Sequence, residues 1–295
     1  LLLGLLPITV SAAPPLDPAS DPPVTTFVEP ELRRQLQDDG STGYLIYFRE
    51  KADLSPAYDM DWEARGEFVV DALQATAKRT QGAVRAYLDA QGAEYKAFWI
   101  DNVIVVESSS LNTFNALASN YPEIEALRER QEPILHEPVE TKPNVAGPMA
   151  IESNITHVNA DDVWAMGYDG EGIVVANIDT GVRYTHEALV NHYRGNEGGG
   201  SFDHNYNWWD PIDNDPAPND HHSHGSHTMG TMLGDDGGDN QIGMAPGAQW
   251  MACQSFEGTG ADVTASLLEC GQFMAAPWDL NGDNANPDLR PNVVN

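Results

Sequence analysis

The sequence predicts an α/β protein in two parts, a small α+β domain over residues 40–137 and a parallel-sheet α/β domain over residues 151–295. Three observations predict it. Residues 40–137 read in the order strand, helix, strand, strand, helix, strand. Beyond residue 150, short apolar strands alternate with helical segments, as expected of a parallel sheet covered on both faces. Proline-rich stretches at 14–39 and 138–150 read as linkers that set the two parts off.

Each element has a local reason. Tyr44-Leu45-Ile46-Tyr47-Phe48 is an aromatic and β-branched run between Gly43 and the charged Arg49-Glu50, hence a strand. Val69, Leu73, Ala77, Val84 and Leu88 recur at helical spacing up to Gly92 and predict an amphipathic helix. Strands follow over 94–100 and 102–107, hinged at Asp101-Asn102. A second helix is expected over 111–130, interrupted by Pro122, and a last strand over 133–136. This order is that of the ferredoxin-like arrangement, with two helices on one face of a four-stranded sheet. In the second part, 161–166, 224–233 and 262–275 read as helices, and 173–178, 250–253 and 293–294 as strands.

Composition narrows the function. The 15 basic residues against 45 acidic ones give a formal charge of −30, which repels nucleic acid and anionic lipid surfaces. The apolar run Leu1 to Val10 ends in Ser11, Ala12 and Ala13 and reads as a truncated secretory signal peptide over 1–13. A membrane span needs about 20 apolar residues, and no run reaches that length. An exported protein is therefore expected, in a compartment where the two cysteines, Cys253 and Cys270, favour pairing with each other.

The residues that point to chemistry lie at the ends of elements. In an open α/β sheet, ligands gather outside the carboxyl ends of the strands, and Asp179 ends a buried strand just before Thr180-Gly181. His224 opens a helix further along the chain. A carboxylate that orients an imidazole through Nδ1–H prepares that ring as a general base, so the two side chains are expected to meet at about 2.6–3.2 Å. His227, one helical turn further on, is expected to be structural.

Ile178-Asp179-Thr180-Gly181-Val182 and His224-Gly225-Ser226-His227-Thr228-Met229-Gly230-Thr231 resemble the aspartate and histidine motifs of the subtilisin family, in that family's chain order. The likeness continues through Asn240 to Ala248 and to the final Pro291-Asn292-Val293-Val294-Asn295. The resemblance implies a secreted serine endopeptidase precursor of the subtilisin-like (S8) class. Asp179 is then the orienting acid, His224 the base, and Gly258-Thr259-Gly260 the edge that pairs with substrate backbone. It also implies that residues 40–137 are an inhibitory propeptide, an intramolecular partner beside the peptide substrates, and that the chemistry needs no cofactor.

The family's serine and oxyanion-asparagine motifs are not found in the sequence. Ser201, Ser223, Ser226, Ser255 and Ser266 lack the serine's context, so the nucleophile is expected beyond Asn295, with 151–295 the first part of the catalytic domain and this chain inactive alone. Ala188 stands where many family members place a calcium-ligating aspartate, and metal sites stay open. Acidic loops at Asp210, Asp213, Asp215 and Asp220 and at Asp279-Asn281-Asp283 could hold structural calcium, and solvated loops are the preferred reading. Two other readings compete: an inhibitor domain as the only activity of these residues, and a zinc hydrolase using His221, His222, His224 and His227, which lacks a His-Glu-x-x-His motif.

Overall fold

The computed structural model describes residues 25–130, 151–238, 241–256 and 263–295. The signal run 1–13, the strand expected at 133–136, the linker 138–150 and Gly258-Thr259-Gly260 lie outside the described residues.

The first part opens with β1 (Phe27–Val28) and α1 (Pro30–Asp39), where the sequence suggested a linker over 14–39. The correction has a plain cause. Pro30 sits in the first turn of the helix, where a missing N–H costs nothing, and Leu32 and Leu36, one turn apart, are fully buried. Gly40, with φ at 78°, closes the helix in the left-handed conformation. There follow β2 (Ser41–Phe48), α2 (Trp62–Gln91), β3 (Glu94–Phe98), β4 (Val103–Ser110), α3 (Leu111–Asn120) and β5 (Ile124–Glu129). The helix expected over 111–130 therefore stops short. Pro122 does not interrupt it but separates α3 from a strand, since the residue before a proline disfavours helical backbone.

These strands form one sheet in the order β1-β5-β2-β4-β3, antiparallel except for the β1–β5 pair. Tyr44, Ile46 and Phe48 of β2 and Ile104 and Val106 of β4 face a core closed by α1, α2 and α3. The alternate residues Leu45, Val103 and Val105 point the other way and are also buried, among Phe98, Ala265 and Leu268. A sheet covered on both sides explains the unbroken apolar run Val103-Ile104-Val105-Val106.

The second part contains α4 (Ser153–His157), α5 (Ala160–Ala165), β6 (Val174–Asp179), β7 (Asn196–Gly198), β8 (Ser201–Phe202), β9 (Trp208–Trp209), α6 (His224–Leu233), β10 (Gln249–Gln254), α7 (Val263–Ala275) and β11 (Val293–Val294). Strands β11-β6-β10-β9 make a sheet in which every pair is parallel. Successive strand residues serve opposite faces. Val175, Trp250 and Ala252 pack with Met229 and Leu233 of α6, whereas Ala176, Met251 and Cys253 pack with Cys270, Phe273 and Met274 of α7.

Helix α7 thus lies between two sheets, with Ala265 and Leu268 in the cluster shared with the first sheet. Its Gln272 side chain accepts a hydrogen bond from the backbone N–H of Trp99, and Glu269 stands 3.9 Å from Lys96. A second seam joins α2 to the turn Pro287–Leu289. There the Arg290 guanidinium lies 3.7 Å from the ring centre of Trp62, and the indole Nε1 donates to the carbonyl of Asp288.

Candidate active site

Asp179 is the last residue of β6, the strand flanked by β11 and β10, and only 5% of its surface is exposed. The following glycine is required by space. Gly181 has φ at 97°, and a Cβ there would lie 2.0 Å from the carbonyl oxygen of Asn219. The chain can therefore leave the strand end sharply, and the carboxylate stays at the sheet's carboxyl edge.

His224 is the first residue of α6. Its Nδ1 lies 2.7 Å from Asp179 Oδ1, and because a carboxylate can only accept, Nδ1 carries the proton. With Nδ1 engaged, Nε2 is the ring nitrogen left to face outward, and the side chain remains 24% exposed. Asp179 Oδ1 also accepts from the Thr180 N–H at 2.7 Å, and Oδ2 from the Thr228 hydroxyl at 3.1 Å. The carboxylate is thus held on both oxygens. Asn177, fully buried in β6, donates to the Gly225 carbonyl at 3.1 Å and to Thr228 Oγ1 at 2.9 Å, which ties α6 to the strand. Close approach is possible because Gly225 has no Cβ: one built there would meet the Gly181 carbonyl oxygen at 2.0 Å.

The other residues singled out in the sequence are placed as follows. His227 is exposed and lines a cavity of about 880 Å³ with Arg183, His186 and Asp220, away from the Asp179 carboxylate. Cys253 and Cys270 form a disulfide between β10 and α7, with Cα atoms 5.6 Å apart. Among the described residues no three His, Cys, Asp or Glu side chains converge as metal ligands, so His221, His222, His224 and His227 do not assemble a zinc set. The acidic loops serve their own turns. Asp210 accepts from the N–H groups of Ile212, Asp213 and Asp215. Asp279 accepts from Asn284 Nδ2 and from the N–H groups of Asn281 and Asp283, contacts that hold its carboxyl below the usual range. Among the described residues no serine hydroxyl hydrogen-bonds to His224; Ser226 Oγ instead accepts from the Arg183 N–H.

Two contributors escaped the sequence reading. Thr180 Oγ1 donates to Asp220 at 2.9 Å and accepts from the Gly225 N–H at 2.9 Å. Asp220, taken for one solvated acid among many, caps α6 through the N–H groups of Ser223 and Ser226. The signal that could have found it is an aspartate among turn residues just ahead of a helix start.

Comparison with known proteins shows what this geometry is similar to. Residues 170–270 match the Subtilase family model. Over 295 aligned residues the chain is 35% identical to bacillopeptidase F of Bacillus subtilis (strain 168), covering 91% of this chain and 20% of that protein. It is 31% identical over 144 residues to the minor extracellular protease Vpr of the same organism, covering 47% of this chain and 17% of that one. The chain thus spans about a fifth of the length of these curated relatives. Among solved structures, the epidermin leader peptide processing serine protease of Staphylococcus aureus aligns with a TM-score of 0.46 at 13% identity, covering 79% of this chain and 49% of that one. The residues that match the Subtilase family model include both Asp179 and His224, and the chain as a whole resembles bacillopeptidase F.

Proposed function

We propose that this chain is the leading part of a secreted serine endopeptidase precursor that hydrolyses peptide bonds. The observation that carries the reading is the 2.7 Å contact from His224 Nδ1 to Asp179 Oδ1 at the carboxyl edge of a parallel sheet. In the complete protein, a serine outside residues 1–295 attacks the scissile carbonyl while His224 Nε2 takes its proton. His224 then gives that proton to the leaving amine, and water releases the acyl group by the same route. Asp179 keeps the ring in the right tautomer and stabilises the imidazolium that forms. Gly258, Thr259 and Gly260 are assigned to the edge that pairs with substrate backbone.

Residues 40–137 are assigned as the inhibitory propeptide. Strands β2, β3, β4 and β5 with α2 and α3 follow the ferredoxin-like order, and the docking of this sheet on α7 supports an intramolecular partner. Among the described residues no helix is long and apolar enough to cross a membrane.

The test is casein hydrolysis. Purified 1–295 is expected to be inactive, and the full-length gene product active after its first part is removed, with His224→Ala abolishing turnover while circular dichroism stays unchanged. Sustained hydrolysis by 1–295, blocked by a serine-directed phosphonate, would overturn the assignment of the nucleophile to residues outside this chain. Full activity in His224→Ala would overturn the mechanism.

A further inference from the structure

We propose that Asp220 is a positioning residue for the base: its carboxylate fixes the backbone on which His224 is mounted and locks that backbone to the loop that carries Asp179. The role rests on the Asp179–His224 pairing proposed above.

Four donors converge on this carboxylate. Oδ1 accepts from Thr180 Oγ1 at 2.9 Å, from the His222 N–H at 3.1 Å and from the Ser223 N–H at 2.8 Å, and Oδ2 accepts from the Ser226 N–H at 2.8 Å. Only an ionised carboxylate accepts at both oxygens without bringing a proton of its own. Three of the donors are backbone N–H groups at or just ahead of the start of α6, which have no partner inside the helix and favour a negative charge there.

The arrangement closes a ring through the site. Thr180 follows Asp179 in the chain, and its hydroxyl both donates to Asp220 and accepts from the Gly225 N–H. The residues on either side of His224 are therefore pinned, Ser223 directly by Asp220 and Gly225 through Thr180. Asp220 also pairs backbone to backbone with Gly181. Ser223 needs that hold. Its φ of 74° lies in the left-handed region, which costs a serine free energy and persists only where the surroundings enforce it. Release of Asp220 lets Ser223 relax, which turns the first residue of α6, and the imidazole with it, away from Asp179.

The test reads the His224–Asp179 bond itself, as the slowly exchanging Nδ1–H proton resonance of His224 in the 1–295 chain. Asp179→Asn assigns the signal by removing it. Asp220→Ala is expected to lose the resonance while near-ultraviolet circular dichroism still reports the buried Trp208 and Trp250. Asp220→Asn, which keeps one oxygen but turns an amide toward Ser226, is expected to retain it with faster exchange. Persistence of the resonance unchanged in Asp220→Ala would overturn the proposal and leave the dyad standing. If Asp220→Ala loses its tryptophan signature, Thr180→Val decides, since it removes only the hydroxyl link: loss of the resonance in a folded chain supports the role, and an unaltered resonance overturns it. A parent chain with no such resonance would overturn the dyad, and the role of Asp220 with it.

Discussion

Gly225→Ala sets two opposing effects against each other at the centre of the site. Gly225 is the second residue of α6, and alanine there would favour the helix by up to about 1 kcal/mol on propensity alone. Space argues the other way. The new Cβ would stand 2.0 Å from the Gly181 carbonyl oxygen and 3.2 Å from Asp179 Cβ, and the obstructing oxygen belongs to backbone that cannot rotate aside. Reaching even a tight contact demands a shift of about 1 Å. If α6 retreats by that amount, the 2.7 Å bond from His224 to Asp179 opens to about 3.7 Å, outside hydrogen-bonding range. Overpacking costs about 1–3 kcal/mol and the lost charged hydrogen bond about 1.5–3 kcal/mol, so after the helical gain the variant should be less stable by roughly 1.5–5 kcal/mol. Urea unfolding followed by tryptophan fluorescence measures this. A variant more stable than the parent, with the His224 Nδ1–H resonance intact, would refute the steric argument.

Three other outcomes are expected. Replacing both Cys253 and Cys270 by alanine opens a loop with a sequence separation of 17 and should cost about 3 kcal/mol in the same unfolding experiment; a loss under about 1 kcal/mol would show that the bridge hardly constrains the unfolded chain. Trp62→Ala removes the ring under Arg290 and the indole donor to Asp288, so amide exchange over residues 288–290 should quicken while β2 and β4 keep their protection; exchange at 288–290 unchanged from the parent would show that the seam contributes nothing. Burial lowers the pKa of His204, whose Nδ1 meets the Tyr193 hydroxyl at 2.9 Å. Its contribution is therefore present above the unfolded value of about 6.5 and lost as pH falls from there through the lowered folded value, so the unfolding midpoint should drop below about pH 6.5, and drop less in His204→Gln.

Where chemistry and geometry agreed locally, the sequence was readable. The start of α6 at His224 and the end of β6 at Asp179 follow from strand composition, a turn glycine and helical spacing, and the two ends meet because a parallel sheet gathers them at one edge. What was missed depended on context. Pro30 and Pro122 look alike in sequence, yet one begins α1 and the other lies between α3 and β5; only the burial of Leu32, Leu36, Ile124 and Leu127 separates the two cases. The pairing of β9 with β10 was equally hidden, because a two-residue strand has no periodicity to read. Asp220 was lost among 45 acidic residues, its distinction lying in donors that converge from Thr180, His222, Ser223 and Ser226 only after folding.

The place of α7 between the two sheets has a mechanical consequence. The helix is welded to β10 through Cys270, and β10 runs beside β6 in unbroken register from Gln249 opposite Val174 to Gln254 opposite Asp179. Whatever seats the first sheet against Ala265 and Leu268 is therefore indexed to the acid by one covalent tie and one ladder, with no loop in series to absorb slack. A displacement at Leu45 or Phe98 is therefore relayed toward the carboxyl edge of β6 through packed and paired parts.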